Sequence, residues 1–327
     1  MKMTRRHLLR GMIAAPVLSL PALHLSSPVF AASVQPVKQQ VPGFYRFWVG
    51  DFEVTALLDG YTTLPTGFIN GYDETLARSA SSRAYKPFSP VGIPVPINGY
   101  VVNTGRQLVL IDAGSPKAAG AGMGNLTSNL KAAGIDPDAI DVVLFTHLHI
   151  DHVGELSDAA GNRTFTNATL MTAEAEWEFT HDDAVYRALP ENFRPYVDIS
   201  RQIVAPYASE RQVFTGEVDV VPGITSIPLP GHTPGHTGFA LHSNNESLLI
   251  WGDIVHLSGL QFAYPDWGVV FDADPELAKR TRRAMFDRAS TDRMAVAGMH
   301  IDFPGIGYIE RTQQAFRYVS APWQTAR

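Results

Sequence analysis

The stretch that most constrains this chain is Thr146-His147-Leu148-His149-Ile150-Asp151-His152. It sets four potential metal ligands within six residues. Asp141-Val142-Val143-Leu144-Phe145 comes just before it, an apolar and β-branched run that reads as a buried strand. A strand ending in a tight, ligand-rich loop is how a rigid scaffold presents a metal site. His147 and His149 alternate and can point to one side, while Asp151 and His152 turn toward a second position. Imidazole suits zinc, and a carboxylate beside it suits a hydrolytic or mixed-metal site.

The chain has 327 residues and no cysteine. That excludes a disulfide framework, a cysteine nucleophile and a thiolate zinc site, so any metal must be held by His, Asp and Glu. A hydrophobic fraction of 45% supports a real core.

Residues 1–32 are set apart from the fold. Arg5-Arg6 is followed by leucines, then an apolar run from Met12 to about Leu25, then small residues at Ala31-Ala32-Ser33. This resembles a twin-arginine export signal, read by the twin-arginine machinery and removed on the way to the periplasm or the outside. The run holds Pro16, Pro21 and His24 and is short for a spanning helix, so no stable membrane anchor is expected. Its removal takes away Lys2, Arg5, Arg6 and Arg10 and no acid, moving the formal charge from −6 to −10. So acidic a mature protein is a poor partner for nucleic acid.

The rest, residues 33–327, reads as a single domain. Phe44 to Val49 and Phe52 to Leu58 alternate as two strands joined around Gly50-Asp51. Residues 61–95 are rich in Pro, Gly and Ser and read as an irregular wall of a cleft, with Phe68, Ile69, Tyr72 and Phe88 as lining candidates. Tyr100–Thr104 and Gln107–Asp112 read as a hairpin, and the spacing predicts a helix from Lys117 to Ala133. Thr172 reads as the N-cap of a helix through Trp177, and residues 181–210 as irregular. Strands follow on both sides of Pro222-Gly223, then a hairpin around Asn244-Asn245. Asp274 and Pro275 open a helix to about Ala289, and Met294–Gly298 reads as a last strand.

Further ligand candidates stand after these strands. Gly231-His232-Thr233-Pro234-Gly235-His236 is a loop whose glycines allow close approach. Gly252-Asp253 ends one strand and Met299-His300 another.

With these motifs in this order, the chain resembles the metallo-β-lactamase superfamily. Within it the chain looks most like methyl parathion hydrolase and related exported hydrolases, through stretches such as Gly99-Tyr100-Val101-Val102-Asn103-Thr104-Gly105 and Phe303-Pro304-Gly305-Ile306-Gly307. The resemblance implies an α/β fold, a four-layer αβ/βα sandwich with metals at one edge. It implies two divalent ions, zinc by default, with Mn2+, Co2+ or Fe2+ also open. His147, His149 and His232 would hold one; Asp151, His152 and His300 the other; Asp253 would bridge both. A bridging hydroxide would be the nucleophile, oriented by Asp151. Two ions roughly 3.5–4 Å apart do need nitrogen donors, carboxylates and a shared oxygen. Asp59, Asp112, His236 and His256 are candidates to support the ligands from behind.

β-Lactamases of this superfamily place cysteine where Asp253 stands or leave the bridge unfilled, and its flavodiiron members place glutamate where His149 stands. The expectation is therefore a hydrolase of neutral esters, phosphotriester or aryl ester. The alternative is a lactonase acting on acyl-homoserine lactones. A metal-binding protein without catalysis is disfavoured, since storage needs no bridge. An aromatic pocket for the small-molecule ester would draw on Trp177, Phe179, Phe193, Tyr196, Phe262 and Trp267. A homodimer is the common assembly among the look-alikes.

Overall fold

In the computed structural model, residues 36–325 are described. The expected export signal at 1–32 lies outside them. The chain divides into residues 1–40 and residues 41–327. Of the first unit, residues 36–40 are exposed and without regular structure.

The second unit carries every element. In chain order these are β1 (Phe44–Val49), β2 (Phe52–Pro65), β3 (Ile69–Asn70), α1 (Glu74–Arg83), β4 (Gly92–Asn103), β5 (Leu108–Ile111), α2 (Leu126–Ala132), β6 (Val142–Leu144) and α3 (Ile150–Val153). Then come β7 (Thr169–Ala173), α4 (Glu174–His181), α5 (Asp183–Ala188), α6 (Arg194–Val204), β8 (Gln212–Phe214), β9 (Asp219–Val221) and β10 (Ile224–Pro228). The chain ends through β11 (Thr237–Ser243), β12 (Glu246–Ile250), β13 (Gly268–Val269), α7 (Pro275–Thr291), β14 (Ala295–Ala297), β15 (Ile306–Arg311) and β16 (Phe316–Ser320).

Two seven-stranded sheets result, ordered β1-β2-β4-β5-β6-β7-β8 and β16-β15-β14-β12-β11-β10-β9. The strands at their centres are apolar throughout because both faces are covered. Val109, Ile111, Val142 and Leu144 face the other sheet and meet Phe239, Leu248 and Ile250. The alternate residues Leu110 and Val143 pack outward with Leu126 and Leu130 of α2 and Ile203 of α6. In the second sheet Leu249 and Val296 pack outward against Met285 and Phe286 of α7. Helices, sheet, sheet and helices make the expected four layers. β5, β6, β7 and β8 run parallel, as do β12 and β14. Ligand sites belong in the crevice beyond the carboxyl ends of such strands, and the histidine loops leave from those ends.

Several expectations are corrected. Residues 61–95 are not an irregular wall: β2 continues to Pro65, β4 starts at Gly92, and the two pair along their whole length. Between them α1 is capped by Asp73, whose side chain accepts the Leu76 N–H at 2.8 Å. The helix expected from Lys117 shrinks to α2, because three glycines at 120, 122 and 124 interrupt its first half. Thr172 stays in β7 and caps nothing; α4 begins at Glu174 behind Ala173. The segment 181–210 folds into α5 and α6. Asp182 caps α5, accepting the N–H groups of Ala184 and Val185, and Pro195 opens α6. No helix among the described residues is long and apolar enough to cross a membrane.

Candidate metal centre

Every ligand candidate leaves a strand end on the same rim. β6 runs into the loop bearing His147 and His149, and α3 carries Asp151 and His152. The β10–β11 loop brings His232 and His236; β12 leads to Asp253 three residues past its end; β14 ends near His300. Gly252 is needed where it stands. Its φ is +55°, and a Cβ there would lie 2.4 Å from His236 Nε2.

The hydrogen bonds fix which imidazole nitrogen faces inward. His147 Nδ1 lies 3.1 Å from Thr146 Oγ1, whose own hydrogen goes to Asp112 Oδ2 at 2.7 Å. His152 Nδ1 donates to the same Asp112 oxygen at 2.7 Å. His232 Nδ1 donates to Asp272 Oδ1 at 2.9 Å, and His300 Nδ1 to the Pro96 carbonyl at 2.8 Å. Four Nε2 lone pairs are thereby turned toward the centre. His147 Nε2 and His232 Nε2 each come within 3.0 Å of His149 Nδ1. Donor atoms of His147, His149 and His232 form one tight group, and those of Asp151, His152 and His300 another.

Asp253 stands between the groups. Its Oδ2 is 3.3 Å from His232 Nε2 and 3.7 Å from His147 Nε2. Its Oδ1 is 3.3 Å from both His152 Nε2 and His300 Nε2. One oxygen thus serves each group.

This donor set fits two divalent cations. Converging lone pairs about 3 Å apart repel unless a proton or a cation lies between them. His152 Nε2 and Asp253 Oδ1 are buried without a hydrogen-bond partner, which a metal would supply. Burial, with neighbouring imidazoles, holds His149 down at about 3 and His147 well below the ordinary histidine value, so both are neutral donors. Burial would also lower His152, but Asp253, Asp151 and Asp112 overcome it and raise it. Burial would raise Asp253, but His152, His300, His256 and His147 hold it well below the carboxylate range.

The supporting residues differ in what they do. Asp112 accepts the Thr146 N–H at 2.8 Å besides the two contacts above, so one carboxylate steadies His147 and His152. Burial raises its pKa against the pull of His152. His236 donates from Nδ1 to the Leu229 carbonyl at 2.8 Å and accepts the Asp253 N–H at 2.9 Å, which fixes the backbone of the bridging aspartate. Asp59 touches no ligand; it accepts the N–H groups of Ser115, Gly124, Asn125 and Leu126, holding the loop after Asp112. His256 is closer in than a support: its Nε2 lies 3.0 Å from Asp253 Oδ2 and its ring stacks on His300.

Three participants are absent from the sequence reading. Asp272, held at about 2 by His232 against the effect of burial, orients that imidazole. Arg282 of α7, buried, donates to the carbonyls of Ile254, Pro265 and Trp267 and lies 4.0 Å from Asp272. Glu176 is buried in α4 and accepts the Leu148 N–H at 2.9 Å and the Thr233 hydroxyl. For Asp272 a signal existed, an acid inside the apolar run Val269–Ala273. Glu176 alternates with Glu174 and Glu178, and nothing local marks the middle one as buried.

The aromatic wall does not assemble as expected. Phe262 is core, between Trp251, Phe286 and Tyr318. Trp267 is buried against Tyr72 and Tyr264. Trp177 stacks on His181 and under the Arg211 guanidinium. Phe179 is half-buried and Tyr196 exposed. Phe193 stands edge-on to Phe271, the residue before Asp272.

A sequence model of the metallo-beta-lactamase superfamily matches residues 92–300. An N-acyl homoserine lactonase of Bacillus thuringiensis is 24% identical over 222 residues, 62% of this chain and 79% of that protein. Among solved structures, hydrolase AbOPH of the beta lactamase superfamily matches with a TM-score of 0.83 and 31% identity over 88% of this chain and 100% of its own. AidC, a dizinc quorum-quenching lactonase in complex with the product N-hexnoyl-L-homoserine, matches with a TM-score of 0.79 and 22% identity over 86% of this chain and 99% of its own. By the family match and by the rim of ligands that it spans, the chain belongs to the metallo-beta-lactamase superfamily.

Proposed function

We propose that this metal-dependent hydrolase of ester bonds opens the ring of N-acyl homoserine lactones. The observation that carries the hydrolytic reading is the divided carboxylate of Asp253, one oxygen toward each histidine group. His147, His149 and His232 would hold one ion, Asp151, His152 and His300 the other, and zinc is the ion proposed for both. Two such ions, once bound, supply Lewis acidity and lower the pKa of water to about 7.

The protein's own groups prepare the site. Asp112 and Asp272 keep the Nδ1 hydrogens outward, so the imidazoles offer Nε2 in one fixed tautomer. His236 holds the Asp253 backbone. Asp151, half-buried, would orient a water through its carboxylate.

The lactone is chosen over the phosphotriester on two grounds. A relative aligned over 62% of this chain is an N-acyl homoserine lactonase. Two of the aromatic residues expected to seat an aryl leaving group, Phe262 and Trp267, are spent on core packing, and Tyr196 is exposed. Ring opening adds water across the acyl C–O bond and leaves an N-acyl homoserine.

The test is kcat/KM of one metal-quantified preparation on N-hexanoyl homoserine lactone and on a nitrophenyl dialkyl phosphate. The lactone is expected to be preferred by at least about two orders of magnitude, some 3 kcal/mol in transition-state binding. A preference for the phosphate restores the phosphotriester reading.

A further inference from the structure

Helix α4 carries three acids on alternate positions, and only Glu176 is buried; Glu174 and Glu178 face solvent. Its Oε1 accepts the N–H of Leu148, and Leu148 lies between His147 and His149. Its Oε2 accepts the hydroxyl of Thr233, the residue after His232. The Gly235 N–H also points at this carboxylate. Gly235 packs so closely that a Cβ there would sit 2.2 Å from the Glu176 nitrogen. A single side chain therefore touches both backbones that carry His147, His149 and His232.

Those backbones belong to different sheets. The His147 loop follows β6 of the first, and the His232 loop joins β10 to β11 of the second. The backbone ties them once, where the Thr237 N–H meets the Thr146 carbonyl at 2.9 Å. Glu176 ties them again at Leu148 and Thr233. The second histidine group has other supports, Asp112 behind His152 and the Pro96 carbonyl behind His300.

We infer that Glu176 is a positioning residue: it sets the spacing of His147, His149 and His232 across the seam between the sheets, and through it the hold on one of two metal ions. The inference rests on the metal reading of the site made above. Ligands held by a closely packed side chain and a fixed carboxylate need no rearrangement when the ion arrives. A glutamine at 176 keeps the volume but turns an N–H donor toward groups that themselves donate.

The experiment is metal release from the zinc-loaded full chain into excess chelator, followed through a chromogenic indicator. Cobalt-loaded protein supplies a visible spectrum of the ligand geometry. Wild type should release about two ions per chain. In E176Q one ion should leave at least about tenfold faster, the loss typical of a group that orients ligands, while the other keeps its rate. The cobalt spectrum should change with it. If E176Q does not fold, T233V carries the test; it removes one of the donors and should quicken the same ion by a smaller factor. Both ions leaving at wild-type rates, or both quickened equally, overturns the inference while the metal reading stands. A wild-type chain that takes up no metal overturns the reading of the site and the inference with it.

Discussion

A buried imidazole offers one lone pair to a metal only if its other nitrogen keeps the hydrogen, and here that is arranged from outside the ligand set. Asp272 is the clearest instance. It stays ionised down to about pH 2, so its hold on His232 Nδ1 does not vary over the ordinary range. D272N keeps an oxygen that can accept the hydrogen but loses the charge that raises the basicity of the ring. Zinc affinity at one position should fall by about 10–100-fold, measured by competition with a chromogenic chelator. An unchanged affinity would remove Asp272 from the site. The seven ligand candidates were legible in the sequence because each follows a strand and the run from His147 to His152 is dense. Arg282 and Glu176 were not, because each acts on a residue far along the chain or on a loop of the other sheet; Asp272 showed only as an acid inside an apolar run, and its partner His232 is 40 positions away.

At the scale of elements, the sequence was readable where turns are tight. The hairpins around Gly50-Asp51 and Asn244-Asn245 carry their own signals, and Asn244 and Asn245 both take positive φ. Asp274 caps α7 as expected, accepting the Leu277 N–H at 2.9 Å. α1, with its run Ser79–Ser82 and little apolar spacing, gave no periodic signal. The loop into α2 holds a testable titration. Asp59 is raised from 3.8 to about 7, chiefly by burial, with the N–H of Gly124 opposing and the charge of Glu155 adding to the rise. The folded state therefore keeps a proton that the unfolded state has lost between those values. The stability it contributes is greatest at the acid end, falls as pH rises, and is gone above about 7. E155Q removes the added charge, so Asp59 should ionise at lower pH and the decline of Tm between about pH 5 and about pH 7 should flatten. Parallel Tm–pH curves for metal-free wild type and E155Q would show that Glu155 does not act on Asp59.

At the scale of the molecule, the resemblance in the metal motifs carried the four-layer architecture, and the final hairpin of β15 and β16 was the part it did not spell out. What the layers do for function lies at their seam. His147, His149, Asp151 and His152 come from the first sheet's loops, and His232, Asp253 and His300 from the second's. Each proposed ion would therefore join residues of both sheets and act as a cross-link that the unfolded chain lacks. An ion free at about a thousandfold its Kd adds roughly 4 kcal/mol to unfolding. For a unit of this size that corresponds to a rise in Tm on the order of 10 °C. Chelation should lower Tm by that order and added zinc should restore it, read by scanning calorimetry on one preparation. D253A, which loses the oxygen serving each histidine group, should show little of this zinc-dependent shift while unfolding cooperatively. A wild-type Tm that chelator moves by less than about 2 °C would mean that the two sheets hold each other through Val109, Ile111, Leu144, Phe239 and Ile250 alone, with the ions seated on a seam already closed.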